Sequence, residues 1–294
     1  MSIFTGSGVA LVTPFTHDKK VNFDMLEKLI EFQIDSHTDA LIICGTTGEA
    51  STLSDEEQIE TIRVAVSIAR KRVPVLAGAG SNYTEHGIEL CVDSEKAGVD
   101  GLMLVTPYYN KTSQRGLVEH YRLHAASVDL PIIIYNVPSR TGLNILPETA
   151  KALSQIDTVV GIKEASGNIV QIAEIAELCG DNLDIYAGND DYIVPVMSLG
   201  GKGVISTAAN VIPKQVHDMT TAYLSGDVKT ARDIQLGMLG LVRGLFCDVN
   251  PVPIKAALNL MGYDVGGYRA PLFEMDGEHK AQLAQVMKNY GLIA

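Results

Sequence analysis

Val159-Val160-Gly161-Ile162 runs straight into Lys163 and Glu164. The run is apolar and β-branched, with no polar alternation. A strand reads that way when both of its faces are covered, as in a parallel sheet. Seven more runs of this kind surround it, at 8–12, 40–44, 74–77, 101–105, 131–135, 183–187 and 203–205. The segments between them carry helical period instead. Phe23, Leu26, Leu29, Ile30 and Ile34 mark one apolar face, and Ile59, Ile62, Val64, Val66 and Ile68 belong to another. Ser54 followed by Glu57 predicts a capping box at a helix start, and Pro147 suits a first helical turn. Gly98, Gly180 and the Gly200-Gly201 pair read as stop signals.

Strand and helix thus alternate eight times. Eight βα units predict an α/β protein built as a closed (β/α)8 barrel, the TIM-barrel architecture, whose typical size is about 250 residues. An open, doubly wound sheet is the competing solution. It calls for a dinucleotide fingerprint after the first strand, and the nearest candidate, Gly78-Ala79-Gly80, has Tyr83 where the third glycine belongs. Residues 1–211 are expected to form the barrel core. Residues 212–294 read as helices only, with amphipathic stretches at 228–246, 252–261 and 278–290. They are expected to supply the last barrel helix and a C-terminal all-helical appendage.

Composition narrows the function. The chain has 294 residues, 35 of them acidic and 23 basic, for a net charge of −12. So acidic a surface repels phosphate backbones and disfavours nucleic acid. A hydrophobic share of 46% with 20% charged residues suits a globular chain. No apolar run approaches the roughly 18 residues of a membrane span. The first residues lack the basic and apolar regions of a signal peptide. The cysteines, Cys44, Cys91, Cys179 and Cys247, are scattered and form no CxxC pair, which fits structural thiols in a reducing compartment. A cytoplasmic location is expected.

In such a barrel the chemistry sits at the C-terminal ends of the strands. Those ends carry Gly45-Thr46-Thr47-Gly48-Glu49, Thr106-Pro107-Tyr108-Tyr109-Asn110, Tyr135-Asn136 with Arg140, Lys163-Glu164, Gly188-Asn189-Asp190 and Ser206. Lys163 is the most telling. Its stem should enter an apolar interior, where desolvation lowers an ammonium pKa and leaves an amine able to attack a carbonyl. An ion pair with Glu164 or another carboxylate is the structural alternative. Lys202 precedes its strand, at the wrong barrel end, and Lys255 lies in the appendage, so both are expected to be structural or solvated. Tyr135, Tyr109, Thr46 and Thr47 offer hydroxyls for proton transfer. Gly45 and Gly48 let backbone N–H groups approach a carboxylate. Arg140 can grip a carboxylate bidentately or make a surface salt bridge. His120 and His124 share an i, i+4 face but have no third ligand at a motif spacing, so no metal is expected.

The stretches Gly45-Thr46-Thr47-Gly48-Glu49, Val105-Thr106-Pro107-Tyr108-Tyr109-Asn110, Tyr135-Asn136-Val137-Pro138-Ser139-Arg140-Thr141-Gly142 and Gly161-Ile162-Lys163-Glu164-Ala165 together resemble the dihydrodipicolinate synthase / N-acetylneuraminate lyase family of class I aldolases. The likeness runs across nearly the whole chain. It is strongest to the members that condense pyruvate with L-aspartate-4-semialdehyde toward diaminopimelate and lysine. The resemblance implies Lys163 as Schiff-base lysine and Tyr135 as proton donor and acceptor. It implies Thr46 and Tyr109 as relay partners, with Tyr109 supplied by a neighbouring subunit of a homo-oligomer, dimer or tetramer. Thr47 and Ile205 would hold the pyruvate carboxylate, Gly188 would line the substrate site, and Arg140 would bind the semialdehyde carboxylate. No metal or organic cofactor is implied.

Three other readings compete: a sugar-acid aldolase of the same family, a pyridoxal-phosphate enzyme holding its aldehyde on Lys163, and a non-catalytic scaffold. The resemblance also implies an effector site for lysine, matched at Asn82 and Tyr108. It is departed from at Asp55 and Gln58, where lysine-sensitive relatives often have histidines, and at His86, where they carry a glutamate that pairs with the effector's ammonium. With Asp55 expected to serve the capping box, feedback by lysine is expected to be weak or absent.

Overall fold

The computed structural model describes residues 2–294. Eight parallel strands close into a barrel in chain order: β1 (Gly6–Ala10), β2 (Ala40–Ile43), β3 (Val75–Gly78), β4 (Gly101–Val105), β5 (Ile132–Asn136), β6 (Val159–Glu164), β7 (Asp184–Ala187) and β8 (Gly203–Ser206), with β8 pairing back onto β1. Every apolar run read from the sequence is a strand. The offsets have physical causes. β1 ends before Val12 because the Val12 N–H is taken by Asn210 Oδ1, at 3.0 Å. β5, β6 and β8 run on through Asn136, Lys163-Glu164 and Ser206. The ladder continues there, pairing Tyr135 with Lys163 and Asn136 with Glu164, although the side chains have turned polar.

Strand alternation separates two apolar layers. Val9, Leu41, Ile43, Ile134, Ile162 and Val204 face the surrounding helices. Ala10, Ile42, Leu76, Met103, Ile133, Tyr135, Tyr186 and Ile205 fill the interior. The same alternation turns Lys163 inward beside Tyr135, and turns Asn136 and Glu164 outward. Phe4 stacks on Tyr186 at 4.5 Å, and the Tyr186 hydroxyl donates to the Phe4 carbonyl at 2.7 Å. Phe4, just before β1, thus packs into the barrel from the N-terminal side of the strands.

The helix Asp55–Ala69 begins with the predicted capping box, Glu57 N–H donating to Ser54 Oγ and Ser54 N–H to Glu57. Gly98 and Gly180 stand just beyond helix ends, with φ of +90° and +53°. After β8, the helix Pro213–Leu224 packs on β1 and β8. The helices Val228–Leu245, Val252–Leu260 and Gly277–Asn289 follow, within a residue of their predicted bounds. The first of these reaches the rim: Gln235 Nε2 donates to the Asp190 carbonyl at 2.9 Å, and its Oε1 accepts from Val194 N–H. No described helix is long and apolar enough to cross a membrane.

Candidate active site

A cavity of about 350 Å³ opens at the C-terminal end of the barrel. Lys163, Tyr135, Thr46, Thr47, Arg140 and Gly188 all line it, as their placement at strand ends predicts. Lys163 is 4% exposed, and its Nζ lies 4.3 Å from the centroid of the Tyr135 ring. Burial pulls its pKa down to about 8; Asp190 works against that shift and the Arg140 charge adds to it. At pH 7.5 the neutral fraction rises from roughly one in a thousand to about one in four. Burial also raises the Tyr135 phenol, while the Arg140 charge and the Thr46 side chain oppose it.

Glu164 is not the lysine's partner. It points out of the barrel and accepts from Ser166 N–H at 2.7 Å and Asn136 Nδ2 at 2.9 Å. The carboxylate that acts on Lys163 is that of Asp190, which is buried. It accepts from the Ser206 hydroxyl and from the N–H groups of Thr207 and Ala208, at 3.1 and 2.9 Å. Its hydrogen-bonding capacity is thus largely spent on the turn after β8.

The loop after β2 is shaped by close backbone contacts. A Cβ on Gly48 would stand 3.1 Å from the Cys44 backbone and from the Leu11 carbonyl, and the Thr13 hydroxyl donates to Gly48 O at 2.6 Å. Gly188 is equally constrained: a Cβ there would come within 2.6 Å of the Ala165 Cβ and 2.9 Å of the Glu164 carbonyl. A side chain at 188 would displace the neighbouring strand end and narrow the cavity floor. Ile205 is fully buried in the interior layer and does not line the cavity with its side chain.

Four cavity residues come from the appendage and escape a search confined to strand ends: Val242, Arg243, Phe246 and Asn250. Asn250 is the most connected. Its Nδ2 donates to Thr47 Oγ1 at 2.9 Å, and its carbonyl accepts from Arg140 Nη2 at 3.2 Å. Thr47 Oγ1 also lies 3.5 Å from Thr207 Oγ1, a hydroxyl pair in which either oxygen can donate.

Tyr109 lies outside its own chain's cavity. It is 92% exposed and holds a left-handed backbone, φ +66°. Asn82 supports that segment, donating to the Tyr108 carbonyl at 3.2 Å and accepting from Asn110 Nδ2 at 2.8 Å. Tyr108 lines a second cavity of about 540 Å³, together with Asp55, Gln58, Ser81 and His86, and Thr46, Met103, Tyr135, Val137 and Arg140 line both cavities. Here one expectation is corrected. Ser54 and Glu57 make the capping box without Asp55, whose carboxylate turns into this second cavity and meets His86 Nε2 at 3.0 and 3.1 Å. His120 and His124 are buried against the barrel with ring centroids 4.4 Å apart, and burial with the neighbouring ring pulls His120 down to about 3. No third metal-binding side chain joins them among the described residues.

Residues 3–290 match the model of the dihydrodipicolinate synthetase family. The chain belongs to that family. A 4-hydroxy-tetrahydrodipicolinate synthase of Lachnoclostridium phytofermentans is 55% identical over 294 residues, covering the whole of both chains. Among solved structures, a dihydrodipicolinate synthase of Acinetobacter baumannii complexed with pyruvate superposes with a TM-score of 0.96 at 39% identity, over 98% of this chain and 99% of that one. A family member from Cyanidioschyzon merolae with lysine bound gives 0.96 at 38% identity, over all of both chains. The open-sheet alternative is excluded both by the closed barrel and by these likenesses to family members.

Proposed function

We propose that this chain condenses pyruvate with L-aspartate-4-semialdehyde to 4-hydroxy-tetrahydrodipicolinate, as a Schiff-base lyase on the route to diaminopimelate and lysine. Lys163 carries the reading: a buried amine with its pKa drawn down to about 8, facing an open cavity beside a tyrosine. Full-length relatives named for this reaction favour it over sugar-acid cleavage. Arg140 does too, because a polyhydroxylated chain calls for hydroxyl-binding groups in its place.

The neutral Lys163 Nζ attacks C2 of pyruvate, and the carbonyl oxygen takes up a proton to give a carbinolamine. A second proton on that hydroxyl lets water leave, and an iminium remains. The iminium draws electrons from the methyl group, so a C3 proton departs and an enamine forms. The enamine carbon then bonds to the aldehyde carbon of the second substrate, whose oxygen takes up a proton to become the 4-hydroxyl, and the iminium at C2 is restored. The amino group of the second substrate adds to C2 and closes the ring, and the C2–Nζ bond breaks as a proton passes to Nζ, returning the free lysine. Tyr135 moves these protons, with Thr46 beside it and Tyr109 of a neighbouring subunit completing the relay. Thr47, through hydroxyl and backbone, and the Ile205 backbone hold the pyruvate carboxylate. Gly188 keeps the floor open, and Arg140 takes the semialdehyde carboxylate. No step calls for a metal or organic cofactor.

We read residues 1–211 as the barrel core and 212–294 as its last helix plus the appendage. The working form is a cytoplasmic homo-oligomer, a dimer or tetramer, a reading supported by Tyr109, which does not line its own chain's cavity and is 92% exposed. The second cavity, with Tyr108 on its wall and Asn82 behind, is the effector site of this reading. Two experiments test it. Turnover of pyruvate with the semialdehyde, and none of N-acetylneuraminate or keto-deoxy sugar acids, is expected; the reverse preference would overturn the assignment. Mixing Tyr109→Phe with Lys163→Ala subunits should restore part of the activity, and no recovery in verified hybrids would remove the shared site.

A further inference from the structure

Glu49 closes the loop that carries Thr46 and Thr47, and it does so in a left-handed conformation, φ +52° and ψ 33°. Residues with a side chain seldom adopt that region unless their surroundings impose it. Within the loop, Glu49 N–H donates to the Thr46 carbonyl at 3.1 Å, and the Thr52 hydroxyl donates to the Glu49 carbonyl at 3.0 Å. The side chain turns away from the cavity. Its Oε1 meets Lys255 Nζ at 2.8 Å, and neither side chain exposes any surface. The Lys255 ammonium stands 4.1 Å from the centroid of Phe15 and 5.5 Å from that of Tyr268. Arg269 N–H lies 3.4 Å from the other Glu49 oxygen. The Arg269 guanidinium rests on Phe15 at 4.6 Å, grips Glu57 through two 2.6 Å hydrogen bonds, and donates to the Thr52 and Lys19 carbonyls.

A buried ion pair is a poor device for stability alone. Desolvating both charges offsets most of their attraction, and an apolar pair of similar volume serves as well or better. What such a pair supplies is direction. The 2.8 Å contact fixes Glu49 against the helix Val252–Leu260, and Glu49 is two residues from Thr47 and three from Thr46. The segment leading into that same helix contains Asn250, which donates to Thr47 from the other side. One stretch of the appendage, 250–255, therefore holds the loop at two points. Arg140 hangs from the loop after β5; it meets the Asn250 carbonyl at 3.2 Å but neither Glu49 nor Lys255.

Resting on the imine-forming reading above, we propose that Glu49 and Lys255 are positioning residues for the pyruvate half of the site. The pair sets the loop so that Thr47 meets the pyruvate carboxylate and Thr46 meets Tyr135. Misplacing a binding group by about an ångström costs up to roughly a hundredfold in rate. Loss of the pair should therefore slow imine formation and raise the KM for pyruvate, while leaving the KM for the semialdehyde alone.

The test uses the full chain in two forms, the apolar double variant Glu49→Leu/Lys255→Met and the single variant Glu49→Gln. Melting temperature, both KM values and the rate of borohydride-trapped pyruvate adduct are measured. The double variant should melt no lower than the wild type, yet trap pyruvate on the order of tenfold more slowly, with the semialdehyde KM within about twofold. Glu49→Gln should fold and lose less in the same direction. Wild-type trapping in either folded variant would overturn the proposal. So would equal shifts in both KM values, or loss of the fold in Glu49→Gln, which would make the pair a stability element. Failure of the wild type itself to form an adduct at Lys163 would instead overturn the reading of the site.

Discussion

Lys163 and Lys255 are both buried amines, and burial lowers the pKa of both. Their surroundings differ. Lys255 touches a carboxylate at 2.8 Å and two aromatic faces, so its charge is answered on every side. Lys163 lies at the wall of an open cavity. The carboxylate acting on it, Asp190, already accepts three hydrogen bonds, one from Ser206 at the end of β8 and two from the turn that follows. Burial alone therefore does not make a nucleophile. The proposed nucleophile also needs an amine that faces open space, with the carboxylate acting on it engaged elsewhere.

The contrast is broken most sharply by truncating each lysine. Lys163→Ala should reduce kcat by on the order of a thousandfold or more, because the covalent step is lost, while the chain still folds. Lys255→Ala should lower stability by about 3–5 kcal/mol, since it leaves Glu49 as an uncompensated buried charge, and should slow imine formation in the folded protein by only on the order of tenfold. Denaturant titration alongside turnover checks both; equal loss of activity at equal stability would erase the distinction.

Arg140→Ala sharpens the picture of the open cavity. Removing one partner of a charge-assisted hydrogen bond costs about 1.5–3 kcal/mol, or roughly tenfold to a hundredfold in affinity. That loss should fall on the KM of the semialdehyde far more than on that of pyruvate. Equal effects on both would show that Arg140 is not the clamp for the second substrate.

The smallest expected effect is regulatory. The carboxylate of Asp55 does face the second cavity, but His86 already engages both of its oxygens. An incoming lysine ammonium has to compete for it, so inhibition should be weak. A lysine titration at saturating pyruvate and limiting semialdehyde checks this, and inhibition at sub-millimolar lysine would contradict it.

The barrel was legible in the sequence because its strands are covered on both faces, so apolar runs mark them even where the ends are blurred. Lys163, Tyr135, Thr46, Thr47, Arg140 and Gly188 were legible for the same reason: each stands where such a run stops. Asn250 and Arg243 were not. They reach the cavity from the appendage, and nothing in local periodicity says where a helix beyond the last strand will fold back. Asp55 was misjudged because a residue beside a cap has the composition of a cap, and only the backbone shows that Ser54 and Glu57 fill that role. Lys255 was rightly placed outside the cavity, but its partner 206 residues earlier in the chain belongs to tertiary structure alone.

The most direct test of the account follows the pyruvate adduct itself. The protein is incubated with pyruvate across pH 6 to 9, reduced with borohydride, and mapped by mass spectrometry. A single adduct on Lys163 is predicted, its rate rising by up to about tenfold with each pH unit from pH 6 toward about 8 and levelling above it, as the amine loses its proton. An adduct on Lys255 or Lys202, or none at all, would contradict it.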